Sequence, residues 1–374
     1  MAGESTIWAM GMMSGTSLDG VDAALVHTDG EQVDAFGPTL FRPYSDAERE
    51  TLRRALDDAA AIVRREDRPA AVAAAEALVT DVHVAVAHEL AAVARHAGIR
   101  PAVIGFHGQT VLHAPDRGIT VQVGDGEALS MRTGVPVVHD LRAADVAAGG
   151  QGAPLVPVWH RALIQRAGLT PPVAFLNVGG VANVTLVARD GSLSAFDTGP
   201  GNAIMDDILF RETGERFDRD GQVASRGTAD DALVEAIVEA SDYLRQPPPK
   251  SLDRASFPAS LIDVPGMALA DRLATASRLT AVTVARALRF AHEPPSMIVV
   301  SGGGAHNANL LSELAAATGL PVTTAAAHGL DTDFIEAQAF GFLAVRRLRG
   351  LPSSFPGTTG APHPVVGGIV ATSG

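Results

Sequence analysis

An apolar strand, a glycine-bounded tip and a return strand occur twice in this chain, and that repetition constrains the fold more than any other feature. The first copy runs Ile7-Trp8-Ala9-Met10-Gly11-Met12-Met13, then Ser14-Gly15-Thr16-Ser17-Leu18-Asp19-Gly20, then a second strand over 21–28. The second copy is Val173–Val178, the turn Gly179-Gly180-Val181-Ala182-Asn183 and a return strand over 184–188. Glycine at a hairpin tip supplies backbone conformations that other residues adopt only at a cost. In the first half, the capping box Ser45-Asp46-Ala47-Glu48 opens a helix to about residue 65, and Pro69 and Gly98 bracket a longer one. Short strands are predicted at 103–106, 119–123 and 135–138. The second half predicts strands at 192–196, 297–300 and 321–324, with helices at 202–213, 229–240, 265–292, 307–318 and 333–348. The tail over 351–374 reads as mostly irregular. This order predicts an α/β chain of two related lobes with a small-ligand cleft between them. The lobes are expected at 1–140, with 345–374 packing back, and at 141–344.

Composition removes several function classes. A chain of 374 residues that is 47% hydrophobic can bury a sizeable core. With no cysteine there is no thiolate nucleophile, cysteine zinc site, iron–sulfur cluster or disulfide. A net charge of −13 lacks the basic footprint of a nucleic-acid or anionic-membrane binder, so neither partner is expected. One small anion in a local pocket remains compatible with that charge. The only lysine is Lys250, behind Pro247-Pro248-Pro249. Neither the Gly-Lys-Ser/Thr of a P-loop nor the strand lysine of a protein kinase is therefore present. A nucleotide here would be held by backbone amides, hydroxyls and metal. Met1-Ala2-Gly3-Glu4-Ser5 has no basic region before an apolar stretch, and the Ala/Val-rich run over 69–97 is interrupted by charge. Both features predict a soluble cytoplasmic protein.

Five motifs stand at predicted strand ends. Ser14-Gly15-Thr16-Ser17-Leu18-Asp19-Gly20-Val21-Asp22 combines glycines, hydroxyls and two carboxylates. Turn amides can cradle a phosphate, and Asp19 and Asp22 can hold Mg²⁺ directly or through water. An ordinary surface turn has the same composition. Asp197-Thr198-Gly199-Pro200-Gly201-Asn202 puts a carboxylate where a general base would stand, or where a cap would. Ser301-Gly302-Gly303-Gly304 suits a close approach by a nucleotide base or ribose, or a tight packing turn. His107-Gly108-Gln109-Thr110 and His139-Asp140-Leu141-Arg142 follow apolar runs, and Arg142 can grip a carboxylate bidentately. Lone histidines at such positions are more often structural. Asp331 and Asp333 suit the start of a helix, whereas Glu336 lies beyond that need and can hydrogen-bond a sugar.

These motifs, in this order, resemble the anhydro-N-acetylmuramic acid kinase family. The resemblance spans Gly11 to Asp22, Phe106 to Thr110, Gln122-Val123-Gly124-Asp125, Asn177 to Asn183, Phe196 to Asn202, Ser301 to Gly304 and Glu336-Ala337. It implies the duplicated, two-lobed fold of the acetate- and sugar-kinase, Hsp70 and actin group, with a ribonuclease H-like core in each lobe. It implies ATP and Mg²⁺ as cofactors and a homodimer. The implied reaction opens the 1,6-anhydro ring with water and phosphorylates O6, giving N-acetylmuramic acid 6-phosphate and ADP for cell-wall recycling. By position, Gly15, Thr16, Ser17, Leu18, Asp19, Gly20, Val21 and Asp22 would embrace ATP phosphates and metal, and Asp197 would activate the water. Gly302, Gly303 and Gly304 would lie by the nucleoside, and His107, Arg142 and Glu336 would contact the sugar. One run departs from the family pattern: Lys250-Ser251-Leu252-Asp253-Arg254 replaces an expected Lys-Ser-Thr-Gly-Arg. That departure keeps open a kinase of another sugar or carboxylate, and the broad fold keeps open a nucleotide-regulated binding module.

Overall fold

The computed structural model describes residues 5–373, so the signal-peptide reading of Met1-Ala2-Gly3-Glu4 concerns residues outside it. The chain forms two compact units. One joins the described residues through Arg166 to those from Asp333 onward, and the other is Ala167–Thr332.

The first unit begins with β1 (Ile7–Ser14), β2 (Gly20–Thr28) and β3 (Val33–Pro43), followed by α1 (Asp46–Asp58) and α2 (Ala70–His96). Next come β4 (Val103–Ala114), β5 (Ile119–Val123), α3 (Gly126–Thr133), β6 (Val137–His139), α4 (Ala143–Ala147) and α5 (Pro157–Arg166). The second unit contains β7 (Val173–Val178), β8 (Val181–Val187), β9 (Leu193–Pro200), α6 (Ala203–Thr213), α7 (Asp231–Ala240), α8 (Asp242–Arg245) and α9 (Leu269–Ala287). It closes with β10 (Ile298–Ser301), α10 (Ala308–Thr318) and β11 (Val322–Thr324). The chain then re-enters the first unit with α11 (Ile335–Leu348), α12 (Pro356–Thr359) and β12 (Ile369–Ala371).

The two sheets repeat one plan. In the first the order is β12-β6-β4-β1-β2-β3, with β5 also on β4; in the second it is β11-β10-β7-β8-β9. Each starts as a three-strand antiparallel meander, and its first strand then receives a parallel strand on the other side. A further parallel strand extends each sheet. This is the ribonuclease H-like topology, present twice.

A pair of glycines fixes the first unit. Gly11 of β1 and Gly105 of β4 are register partners, side by side in parallel strands. A Cβ on Gly11 would stand 1.7 Å from the Ala337 carbonyl oxygen, and one on Gly105 would stand 1.9 Å from that of Phe340. The backbone of α11 therefore lies directly in a trench that any side chain would fill. On the first unit's core, Met10, Met12, Ile104 and Phe106 pack with Val79, Val86 and Leu90 of α2. α2 is the one helix among the described residues long and apolar enough to cross a bilayer, and half of its most apolar window is buried in the protein.

Several expectations change. The unit boundaries fall at Arg166/Ala167 and Thr332/Asp333, in place of 140/141 and 344/345. The reason is packing: Trp159 of α5 lies against Phe36 of β3 and Phe342 of α11, at centroid distances of 6.3 and 5.1 Å, which holds both helices to the first sheet. β4 does not stop at Phe106 but runs on through the His107–Thr110 motif, because β5 pairs back onto that extension. α1 ends at Asp58, with a short 3-10 turn over Ala59–Ala61, well before residue 65. β3, α3, α5 and β12 were not anticipated. Gly37 and Pro38 disguise β3, and an edge strand tolerates proline because one side of its backbone needs no ladder partner.

The trench yields a prediction. Gly105→Ala forces α11 off β4, and overpacking of this kind costs about 1–3 kcal/mol or more. Thermal unfolding of the variant should begin at least about 5 °C below that of the unaltered protein.

Candidate active site

The first unit gathers carboxylates and hydroxyls at the C-terminal end of β1. The tip between β1 and β2 is not uniform. Thr16, Ser17 and Asp19 are exposed, whereas Leu18 and Val21 turn into the core and Gly20 is buried. A Cβ on Gly20 would stand 2.4 Å from the Arg42 carbonyl oxygen, so that glycine serves the β2–β3 pairing. Gly15, by contrast, has open space where a side chain would be, with nothing nearer than 3.5 Å. Leu18 takes a positive φ of 55°, and the turn closes through its N–H donating to the Gly15 carbonyl at 3.2 Å. The Ser17 hydroxyl donates to Asp19 Oδ1 at 2.8 Å. Beneath the tip, buried Ser14 donates to Gln109 Oε1 at 2.6 Å and hydrogen-bonds the Tyr44 hydroxyl at 2.9 Å. That buried polar triad ties β1 to β4 and was missed in the sequence, because none of its members is adjacent in the chain.

Asp22 follows on β2. Burial pushes its carboxyl up to about 7, and the negative charges of Asp19, Glu336 and Asp333 push the same way. Burial also raises Glu336, the second residue of α11, against the opposing pull of Arg142. Glu336 nevertheless keeps access to solvent at the mouth of this cluster. Crowded carboxylates of this kind are poised to accept positive charge. Among the described residues no group of three or more histidines, aspartates and glutamates could hold a metal ion by itself. The two carboxylates Asp19 and Asp22 match what Mg²⁺ takes from a protein, since that ion keeps several waters, shares substrate phosphates and uses only one or two carboxylates.

Arg142 and His107 form one unit. Arg142 Nε donates to His107 Nε2 at 3.0 Å, and its terminal nitrogen donates to the Gly152 carbonyl at 2.9 Å. His107 Nε2 is then an acceptor, so Nδ1 carries the proton and donates to the Gly108 carbonyl at 2.9 Å. Burial and the neighbouring Arg142 push the imidazole down to about 3, which keeps it neutral. His107, expected to touch a sugar, has both ring nitrogens engaged inside the protein; it orients Arg142. Beside it lies a cavity of about 310 Å³, at whose wall Arg65 pairs with Asp140 at 2.6 Å and Arg68 with Glu76 at 3.0 Å. The loop after Arg142 is held by Asp145, buried and unanticipated, which accepts from the Gly152 N–H and the Thr359 hydroxyl, both at 2.6 Å.

In the second unit, Asp197 lies within β9, three residues before its end, not at the strand–helix junction. Gly199 and Gly201 of its motif are needed for packing, since Cβ atoms there would meet Thr283 at 2.6 Å and the Gly179 carbonyl oxygen at 2.3 Å. Asp197 is half-buried. Its Oδ2 accepts from the Leu252 N–H at 2.7 Å, its own N–H donates to the Lys250 carbonyl at 3.2 Å, and the Tyr243 hydroxyl donates to its carbonyl at 2.8 Å. Burial raises the carboxyl to about 6, and the Leu252 N–H and Lys250 draw it partly back. The run that departs from the family pattern thus reaches Asp197 through backbone groups, which the change to Leu252 and Asp253 leaves in place.

The triple glycine divides by role. Gly302, at φ 74°, and Gly304 are required by the close pass of Val178, whose carbonyl oxygen and Cβ would lie 2.8 and 2.5 Å from added Cβ atoms. Gly303 is exposed and meets only Asn202 Nδ2, at 3.3 Å. Gly303→Ala should leave the melting temperature within about 2 °C of the parent, whereas Gly302→Ala should lower it by at least about 4 °C. Differential scanning fluorimetry separates the two.

The fold and these groups define a class of protein. Gluconate kinase from Lactobacillus acidophilus aligns with 99% of this chain and 94% of its own, at a TM-score of 0.50 and 10% identity. That likeness concerns the fold alone, which is the duplicated actin-like fold of the sugar kinases. Residues 7–372 match the anhydro-N-acetylmuramic acid kinase family. Proteins of that name from Bradyrhizobium diazoefficiens and Nitrobacter winogradskyi are 49% and 50% identical over 368 and 367 residues, covering 97% of this chain and 98% of each relative. The chain belongs to the anhydro-N-acetylmuramic acid kinase family.

Proposed function

We propose that this protein phosphorylates 1,6-anhydro-N-acetylmuramic acid with ATP while opening its anhydro ring. Membership in the family at full length carries the substrate and reaction class, and Asp197 carries the chemistry. Water adds to the anomeric carbon and gives a proton to Asp197. The C1–O6 bond breaks, and O6 attacks the γ-phosphorus as the bond to the ADP oxygen breaks. The products are N-acetylmuramic acid 6-phosphate and ADP. Positioning and charge stabilisation dominate such a transfer.

The first unit supplies the phosphate side. Thr16, Ser17 and Asp19 are exposed at the tip and Gly15 is partly so, while Leu18, Gly20 and Val21 hold its shape from beneath. Asp19 and Asp22 would hold Mg²⁺, directly or through water, and the ion would neutralise phosphate charge that no P-loop lysine can meet. Arg142 and Glu336 would bind the sugar, with His107 setting the guanidinium. In the second unit Gly303 is the glycine open to the nucleoside. On the strength of family membership we also propose a cytoplasmic homodimer that serves cell-wall recycling.

Mass spectrometry of the sugar after incubation with Mg-ATP in isotopically labelled water tests the reading. The expected product gains one water and one phosphoryl group, with label at the anomeric carbon. A plain sugar phosphorylated in preference to the anhydro-sugar would overturn it. Asp197→Asn should lower kcat by about 10²–10⁴ with nucleotide binding retained. Because the base must be ionised, kcat of the parent should fall as pH drops below about 6. Asp22→Asn should raise the Mg²⁺ concentration for half-maximal rate by about tenfold or more, since one of two carboxylates is lost.

A further inference from the structure

The side chain of the sole lysine of the chain is held in an unusual place. Lys250 is half-buried, and among the described residues its ammonium has no carboxylate within ion-pair distance. Its Nζ donates to the Tyr243 carbonyl at 3.1 Å. It stands 4.6 Å from the ring centroid of Tyr243, 5.0 Å from that of Phe290 and 5.9 Å from that of Phe196. Three ring faces around one ammonium replace part of its hydration. Phe196 precedes Asp197 on β9, and its ring meets Phe290 edge-on at 6.2 Å. The walls of the box and the clasp on Asp197 are therefore the same pieces of chain.

We propose that Lys250 is a positioning residue for Asp197: its ammonium, seated in the Tyr243–Phe290–Phe196 box, pins residues 250–252 so that their backbone clasps Asp197, and presents a fixed positive charge to the carboxylate. The proposal rests on the reading of Asp197 as the base. A free lysine loses about 2 kcal/mol of side-chain entropy when fixed, so a lysine fixed without a carboxylate partner calls for a compensating role. The groups facing Asp197 are Lys250, the Leu252 N–H and the Tyr243 hydroxyl, and the first two oppose the effect of burial on its carboxyl. Glycine at position 253 is not needed for this arrangement, because the clasp uses the main chain of Lys250 and Leu252. Asp253 instead accepts from the Ala255 N–H at 2.7 Å and starts the next 3-10 turn.

The test uses Lys250→Met, which fills the box without charge, beside Lys250→Arg, which restores it. In Lys250→Met, kcat should fall about 10–100-fold, with KM for ATP and for the anhydro-sugar within about twofold of the parent. The acid limb of its kcat profile should move up by about half a pH unit or more. Lys250→Arg should recover most of kcat and return the limb. A stable Lys250→Met protein with the parental limb and kcat overturns the proposal. Asp197→Asn separates the underlying reading: if that variant turns over normally, Asp197 is not the base, whatever Lys250 does.

A second measurement holds even if the methionine variant does not fold. Reductive methylation with isotopically labelled formaldehyde marks the only side-chain amine in the protein. Its methyl resonance should be displaced upfield by the ring faces, and should move with pH in the parent but not in Asp197→Asn. A resonance at the free dimethyl-lysine position, or one indifferent to Asp197, overturns the proposal.

Discussion

The contact between bare backbone and bare backbone at Gly11 and Gly105 governs the first unit. Two neighbouring strands lack side chains at the same register, and α11 lies in the gap with its own carbonyls against them. The consequence reaches from packing to chemistry. Glu336 opens that helix, so its carboxylate is placed by the seat of α11 on the sheet and not by a loop. Phe340, whose carbonyl oxygen borders Gly105, also sets its ring 4.5 Å from that of His107 at a tilt of 40°, and His107 in turn holds Arg142. One steric requirement, the absence of two Cβ atoms, thus aligns the residues proposed to hold the sugar. Sites built on helices and strands in this way keep their geometry more tightly than sites built on loops.

Electrostatics in the two units follows one logic with different partners. At Asp22 burial and like charges act together, leaving a carboxyl that gains from a cation. At Asp197 burial acts alone and is partly countered by a peptide N–H and an ammonium, leaving a carboxyl suited to take and release a proton near neutrality. Environment, not residue type, separates the two roles proposed for them. Neither side chain differs from any of the exposed aspartates on the surface, and only their neighbours distinguish them.

Much of this was readable in the sequence. The repeated hairpin followed by alternating strands and helices announced both sheets, because period and turn chemistry are local properties. Asp22, Asp197 and Arg142 stood out because each sits in a run of glycines, hydroxyls or charge after an apolar strand, and Glu336 because it lies beyond the acidic residues that open a predicted helix. What stayed hidden was non-local. β3 was masked by Gly37 and Pro38, since only a partner strand makes it one. The Ser14–Gln109–Tyr44 triad and Asp145 join segments far apart in the chain. The bond between His107 and Arg142 was hidden as well, because the letters cannot say which ring nitrogen is already occupied. Lys250 served to exclude P-loops and protein kinases and to mark the start of the run that departs from the family pattern. Its solitude behind three prolines was the signal that it had a place of its own.

The path of the chain through the two units has a temporal consequence. The second unit is one continuous stretch, Ala167–Thr332, while the first is split on either side of it. During synthesis the second unit can close its sheet and core as soon as its own residues have emerged. β1 and β4 must meanwhile wait, with their glycine trench empty, until the last residues of α11 leave the ribosome. Nascent chains halted before Asp333 would accordingly hold one finished unit and one open one. A chaperone acting on this protein would find its work at the beginning of the polypeptide, long after that beginning was made.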